Sequence, residues 1–137
     1  MSWQAFVDTN LIGSNNFNKA LIIDHQNNVW ATSEEKLHLS KEDFNVLEQA
    51  YEKPEVIFTH GFTIREKKYR TIKADNRSVY GKADNSGGIT IVKTNRCYLI
   101  GFYDDGVKPG FASATIEELG DQLIEANFVS FYVIILN

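Results

Sequence analysis

The sequence predicts an α+β domain in which one antiparallel sheet carries helices on both faces, with the first and last elements helical. Three observations lead there. Gly87 to Tyr103, GGITIVKTNRCYLIGFY, reads as a hairpin: a β-branched run at Ile89 to Val92, a polar turn at Lys93 to Arg96, and a second run at Cys97 to Tyr103. In that second run both alternating sets are apolar, so neither face is made for water and the strand must be central, covered from both sides. Apolar residues at helical spacing near the start and end of the chain supply part of the cover, and no repeat, linker or low-complexity run divides the 137 residues.

Taken in order, Ser2 caps a helix in which Trp3, Phe6, Val7, Asn10 and Leu11 recur at three- and four-residue spacing, and Gly13 ends it. Ala20 to Ile23 and Val29 to Thr32 form a hairpin across the polar loop Asp24 to Asn28, with Trp30 on the second strand. A second helix starts with Ser40 as cap and Asp43 in its first turn, buries Phe44, Leu47 and Tyr51, and stops at Pro54. From Gly61 onward the pattern is of short strands: Phe62 to Arg65 and Lys68 to Ala74 flank Glu66 and Lys67, and Ser78 to Lys82 follows the turn Asp75 to Arg77. The turn Ala83 to Gly88 leads into the central hairpin. A last helix begins near Ser113 or Thr115, where Thr115 and Glu118 have capping-box spacing, carries the stripe Ile116, Leu119, Leu123 and Ala126, and ends near Phe128.

Composition excludes several functions. The chain is long enough for a core without metal or disulfide staples, and Cys97, its single cysteine, lies in an apolar run and reads as a buried thiol. No basic segment with an apolar h-region opens the sequence and no stretch reaches the roughly 20 apolar residues of a membrane span, so a cytosolic protein is expected. A formal charge of −4 argues against general nucleic-acid binding. His25, His38 and His60 fall in separate segments without metal-ligand spacing, so no metal or cofactor is expected. The glycine stretch Asn85 to Gly88 links two strands and lacks the helix, lysine and hydroxyl of a phosphate loop. Asp104 and Asp105 are neighbours in a turn, which alone makes no acid/base pair, and no enzyme is expected.

What stands out instead is aromatic placement, with Trp3 and Phe6 one turn apart, Trp30 on an early strand and Phe128 at the end of the last helix. A tryptophan on a terminal helix either docks that helix or forms half of an aromatic groove. Lys68, Arg77, Lys82, Lys93 and Lys108 lie on strands and turns of the second half; singly, each reads as a solvated charge.

The opening MSWQAFVDTNLIG, VWATS at Val29 to Ser33, ADNRSVYGK at Ala74 to Lys82, SGGITIVKT at Ser86 to Thr94 and the closing EELGDQLIEANF together resemble the profilin family, in order and spacing, over Met1 to Phe128. The resemblance implies one domain over 1–128 with its N- and C-terminal helices side by side. It implies an actin-monomer-binding regulator of actin polymerisation, monomeric, in the cytoplasm at the actin cytoskeleton and cell cortex. Its partners would be monomeric actin, proline-rich proteins such as formin-type nucleators, and phosphoinositide headgroups. The proline-rich ligand would lie on Trp3, Phe6, Trp30, Gln122, Leu123 and Phe128, since a polyproline II helix has little entropy left to lose on flat aromatic faces. The family usually has tyrosine at the positions of Phe6 and Phe128, and tyrosine or histidine at that of Gln122. Each lost hydrogen bond is worth about 0.5 to 1.5 kcal/mol, which predicts weaker proline binding.

The actin-facing residues implied are Lys68, Arg77, Lys82, Val92, Lys93, Val107, Lys108, Gly110, Ser113 and Glu118, with Lys68, Lys82 and Lys93 shared with phosphoinositides. The competing class is a small-molecule-sensing α+β domain without actin binding. It would need a polar-lined cavity where the central strands offer Ile, Val, Leu, Phe and Tyr. The apolar extension 129–137, VSFYVIILN, goes beyond the family's usual end; it is expected either to pack on or beside the aromatic groove and weaken proline binding, or to be a tail without a role.

Overall fold

The structure, a computed structural model, describes residues 2–84 and 87–136, with side chains as far as 125. The turn residues Asn85 and Ser86, the side chains of Ala126 and Phe128, and the packing expected of Val129 to Asn137 lie outside the described residues. Seven strands are present: β1 (Lys19–Asp24), β2 (Val29–Thr32), β3 (Phe62–Ile64), β4 (Lys67–Ala74), β5 (Ser78–Lys82), β6 (Gly88–Lys93) and β7 (Cys97–Tyr103). They form one antiparallel sheet in the order β2-β1-β7-β6-β5-β4-β3. β7 lies inside it, paired with β1 through Ile22↔Leu99 and with β6 through Val92↔Leu99, and all its residues except Phe102 are buried, as its two apolar faces require.

The helices depart more from expectation. Ser2 does cap the first one, its hydroxyl accepting from the Ala5 N–H at 3.0 Å, but only α1 (Trp3–Ala5) is regular. The chain then widens into a π-helical stretch, Phe6–Leu11, and tightens into a 3-10 turn, Ile12–Ser14. Asn15 in the left-handed conformation (φ 65°), not Gly13, ends the segment; asparagine is among the few residues that tolerate that region. In α2 (Lys41–Glu52) the capping box of Ser40 and Asp43 forms as expected. Pro54 ends α2 but also starts α3 (Pro54–His60), a helix the sequence reading missed. Proline has no N–H to lose at the first helical position and its fixed φ suits it.

The β3–β4 loop is Arg65 and Glu66, one residue earlier than expected, because Ile64 pairs with Lys67. Both loop residues have positive φ (53° and 66°), the two-residue geometry that matches strand twist. Neither is glycine, and tertiary bonds hold the first of them: the Arg65 N–H donates to Asp43 Oδ1 at 3.0 Å and its guanidinium to the His38 carbonyl at 3.0 Å. The last helix, α4 (Pro109–Leu136), begins a turn before Ser113 and runs past Phe128. Thr115 is therefore no cap, and its hydroxyl instead accepts from the Asn16 amide at 2.9 Å, tying α4 to the end of the first helical segment. Among the described residues no helix is long and apolar enough to cross a membrane.

The sheet separates two cores. On one face Leu21, Ile23, Val79, Ile89, Ile91 and Ile100 pack with Phe44, Leu47 and Ala50 of α2 and Ile57 of α3. On the other, Ala20, Ile22, Val92, Cys97 and Leu99 pack with Phe6, Val7 and Leu11 and with Ala112, Ile116 and Leu119 of α4. Positions that a ligand-sensing domain would need as a cavity, such as Ile89, Ile91 and Leu99, are filled and fully buried.

Candidate functional site

Two surface features are built on the face that carries α1 and α4. The first is aromatic. The Gln4 amide anchors α1 to β2, donating to the Thr32 carbonyl at 2.7 Å while its oxygen accepts from the Thr32 N–H at 3.3 Å. That docking brings Trp3 beside Trp30, ring centroids 5.0 Å apart and tilted by 44°. Phe6 meets Trp3 edge-on at 6.3 Å. Trp3, Trp30 and Leu123 are half-buried, apolar bodies with one side still open, while Phe6 is only 6% exposed and supports Trp3 from the core rather than offering a face of its own. Gln122 is exposed on α4, and the Phe128 side chain lies outside the described residues.

The second feature is a cleft of about 670 Å³ between the start of α4 and strands β4 to β6, lined among others by Arg70, Lys73, Tyr80, Lys82, Gly110 and Ser113. Its cations lie against aromatic rings, the Lys73 ammonium 5.4 Å from Tyr80 and the Lys82 ammonium 5.8 Å from Tyr103. Two large apolar side chains stand out of the surface in the same region, Ile72 on β4 (54% exposed), which lines the cleft, and Phe111 on α4 (58%), with Lys108 over its ring. Lys68 shares the sheet face of Arg70 and Lys82, and its ammonium donates to the His60 carbonyl. Val107 is half-buried against the core and Glu118 is exposed.

Two residues expected on this surface belong elsewhere, and a third, Arg77, is engaged by α4. Val92 is fully buried under α4, where Gly120 lets the helix approach so closely that a Cβ on it would stand 2.8 Å from Val92 Cγ1. Alternation then turns Lys93 to the opposite face of the sheet, where its ammonium lies 5.4 Å from the Tyr51 ring and 5.8 Å from that of Tyr98. Arg77 is no solvated charge: it pairs with Asp121 at 2.8 Å and with Glu117 at 3.1 Å and donates to the Glu117 carbonyl at 3.0 Å. Burial works against its charge, yet hydrogen bonding to Asp121 and the Glu117 carboxylate carry its pKa upward. Glu117 also accepts from Ser78 Oγ at 2.6 Å and from the Tyr80 hydroxyl, so this network fastens α4 to β5. Burial first, and then the bond to Glu117, push the Tyr80 hydroxyl well above its ordinary pKa.

The profilin family model matches residues 1–128. Profilin-2 of Acanthamoeba castellanii is 43% identical over 128 residues, which are 93% of this chain and all of that one. The chain belongs to the profilin family. Profilin-A of Physarum polycephalum is 38% identical over the same share of each chain. The crystal structure of A. castellanii profilin II superposes with a TM-score of 0.82 at 40% identity, covering 92% of this chain and 99% of that one. A mouse profilin IIa in complex with a double repeat from the FH1 domain of mDia1 has a TM-score of 0.74 at 17% identity over 93% and 99% of the two chains, a likeness of fold. Profilins are actin-binding regulators.

Set beside the family expectation, the sequence reading missed Gln4, Arg70, Ile72, Lys73, Tyr80 and Phe111. Period-2 alternation from Lys68 would have found Arg70 on the same face. The same alternation gives Ile72 from Lys68 and Tyr80 from Lys82, the bulge between Thr71 and Lys73 brings Lys73 to that face, and only Gln4 and Phe111 needed the docking of α1 and α4. Among the described residues no group of three His, Cys, Asp or Glu could hold a metal ion. Burial pushes the Cys97 thiol up, away from thiolate chemistry.

Proposed function

We propose that this chain binds monomeric actin through the face formed by Lys68, Arg70, Ile72, Lys73, Lys82, Lys108, Gly110, Phe111, Ser113 and Glu118. Proline-rich segments bind through the groove of Trp3, Trp30, Gln122 and Leu123. It regulates actin polymerisation without chemistry of its own, in the cytoplasm at the actin cytoskeleton and cell cortex. The observation that carries this reading is the family match over the full length of its relatives, joined to two separate surfaces of different chemistry. Trp30 stands on β2 and the cationic residues on β4 and β5; β4 is five strand spacings from β2, roughly 24 Å along the sheet at about 4.8 Å each. Both partners therefore bind at once. Steered by cations and packed on Ile72 and Phe111, an acidic partner suits the cleft face. The test is a poly-L-proline pulldown run beside an actin-monomer sedimentation assay on wild type and Trp3→Ala. The variant loses proline binding about 30-fold, the loss of one aromatic anchor, and keeps actin binding. Unchanged proline binding in a folded Trp3→Ala protein would overturn the groove.

Phosphoinositide headgroups are a second ligand of the cleft face, favoured by the cross-strand pairing of Arg70 with Lys82 and by Lys68 on the same side. Lys93, on the other face, takes no part. Sedimentation with vesicles containing phosphoinositide, with and without Arg70→Glu, checks this.

A further inference from the structure

We infer that Arg96 selects among proline-rich ligands by charge, giving the aromatic groove a preference for segments that carry an acidic residue next to the proline run. This rests on the groove reading above. Arg96 lies in the β6–β7 turn, and the turn is fixed at its base. The nearly buried Thr94 hydroxyl accepts from the N–H groups of Arg96 (3.2 Å) and Cys97 (3.0 Å), while the Thr94 N–H donates to the Cys97 carbonyl at 2.8 Å. His25 Nε2 lies 2.9 Å from the Thr94 carbonyl and ties the turn to the β1–β2 loop. From this base the exposed Arg96 side chain reaches out to place its guanidinium 5.8 Å from the centre of the Trp30 ring, at the edge of the Trp3–Trp30 pair.

Among the described residues that guanidinium has no carboxylate partner. Asp24, opposite Cys97 in the β1–β7 ladder, is occupied by its own turn: its carboxylate accepts from the N–H groups of Gln26 and Asn28 and from the Asn28 amide, each at 2.9 Å. A polyproline II ligand advances about 3.1 Å per residue, so a side chain one or two positions beyond the proline over Trp30 comes within reach of Arg96. An aspartate there completes a charge pair; a lysine meets a like charge. The whole-molecule charge of −4 works in the other direction, drawing basic ligands, so a preference for acidic flanks reports the local arginine and not the general field.

The experiment is a fluorescence titration of the full chain with two peptides sharing one proline run, one with aspartate at both ends and one with lysine at both ends. Wild type binds the aspartate peptide more tightly by roughly five- to ten-fold, a ratio that shrinks at high salt, as expected when one exposed attractive contact with Arg96 is set against one repulsive contact. Arg96→Gln brings the ratio to one or below, and Arg96→Lys, which keeps the charge, restores most of it. A wild-type ratio near one, or the same ratio in Arg96→Gln, overturns the selection while leaving the groove in place. If neither peptide binds, or if binding survives Trp3→Ala unchanged, the groove reading fails and the selection with it.

Discussion

The two faces of the sheet differ in how completely helices cover them. On the α2 and α3 side the core from Leu21 across to Tyr69 is closed, and what reaches the surface is an edge, such as Lys93 over Tyr51 and Tyr98. On the α1 and α4 side one helical segment covers β1 and β2 and the other covers β6 and β7 and reaches the Ser78 end of β5, leaving β4 and the Lys82 end of β5 bare. The uncovered part supplies the cleft with Arg70, Lys73 and Lys82, and the join between α1 and β2 supplies the tryptophan pair. Cover that is complete makes stability; cover that is partial leaves surface for partners. The same sheet does both because alternate residues of each strand belong to different faces.

Substituting neighbours on opposite faces breaks this comparison most sharply. Val92→Asp puts a carboxylate under α4 and is expected to cost at least about 3 kcal/mol in a denaturant titration, or to prevent folding, whereas Lys93→Asp at the rim costs under about 1 kcal/mol. Similar losses for the two would mean that Val92 is not interior. Next in size is the clamp that holds α4 on the partly covered face. Glu117→Ala leaves the Ser78 and Tyr80 hydroxyls without their acceptor and removes one of the two carboxylates at Arg77, an expected loss of about 1 to 3 kcal/mol, read by the same titration. Amide protection in the Arg77-facing turns of α4 should fall with it.

Smaller again is the effect of charge on the bare strands. Lys82→Glu is expected to weaken actin binding about tenfold, more at low salt than at high, with proline binding and stability unchanged. An equal loss of both ligands would mean that the two surfaces are coupled. The smallest effect is alkaline. Tyr51 and Tyr80 have hydroxyls whose pKa is raised above the ordinary 10.0, chiefly by burial, so the folded state keeps protons that the unfolded state gives up. Their contribution is therefore fully present below about pH 10 and is lost as pH rises beyond it. Tyr80→Phe should flatten the fall of stability between pH 10 and 11 without changing its slope near neutrality, measured as denaturation midpoint against pH.

Local chemistry was enough for much of the chain. The two apolar faces of Cys97 to Tyr103 made β7 central, and the Ser40 and Asp43 pair marked the start of α2, because alternation and capping depend on residues a few positions apart. The errors fell where a distant element competed with a local signal. Thr115 had capping-box spacing with Glu118, but Asn16 claims its hydroxyl from nearly a hundred residues away and Pro109 starts the helix earlier. Arg77 read as a solvated charge because nothing near it in sequence pairs with it, and its partners Glu117 and Asp121 arrive only with α4. The sequence by itself determined the strands, the order in which they pair along the chain's second half, the family and the presence of a tryptophan on the terminal helix near the start. Tertiary structure alone decided that Gly120 seats α4 on Val92, that Gln4 brings Trp3 to Trp30, and which lysines share a face. These are contacts between segments far apart in the chain, fixed by packing and hydrogen bonds that no local pattern encodes.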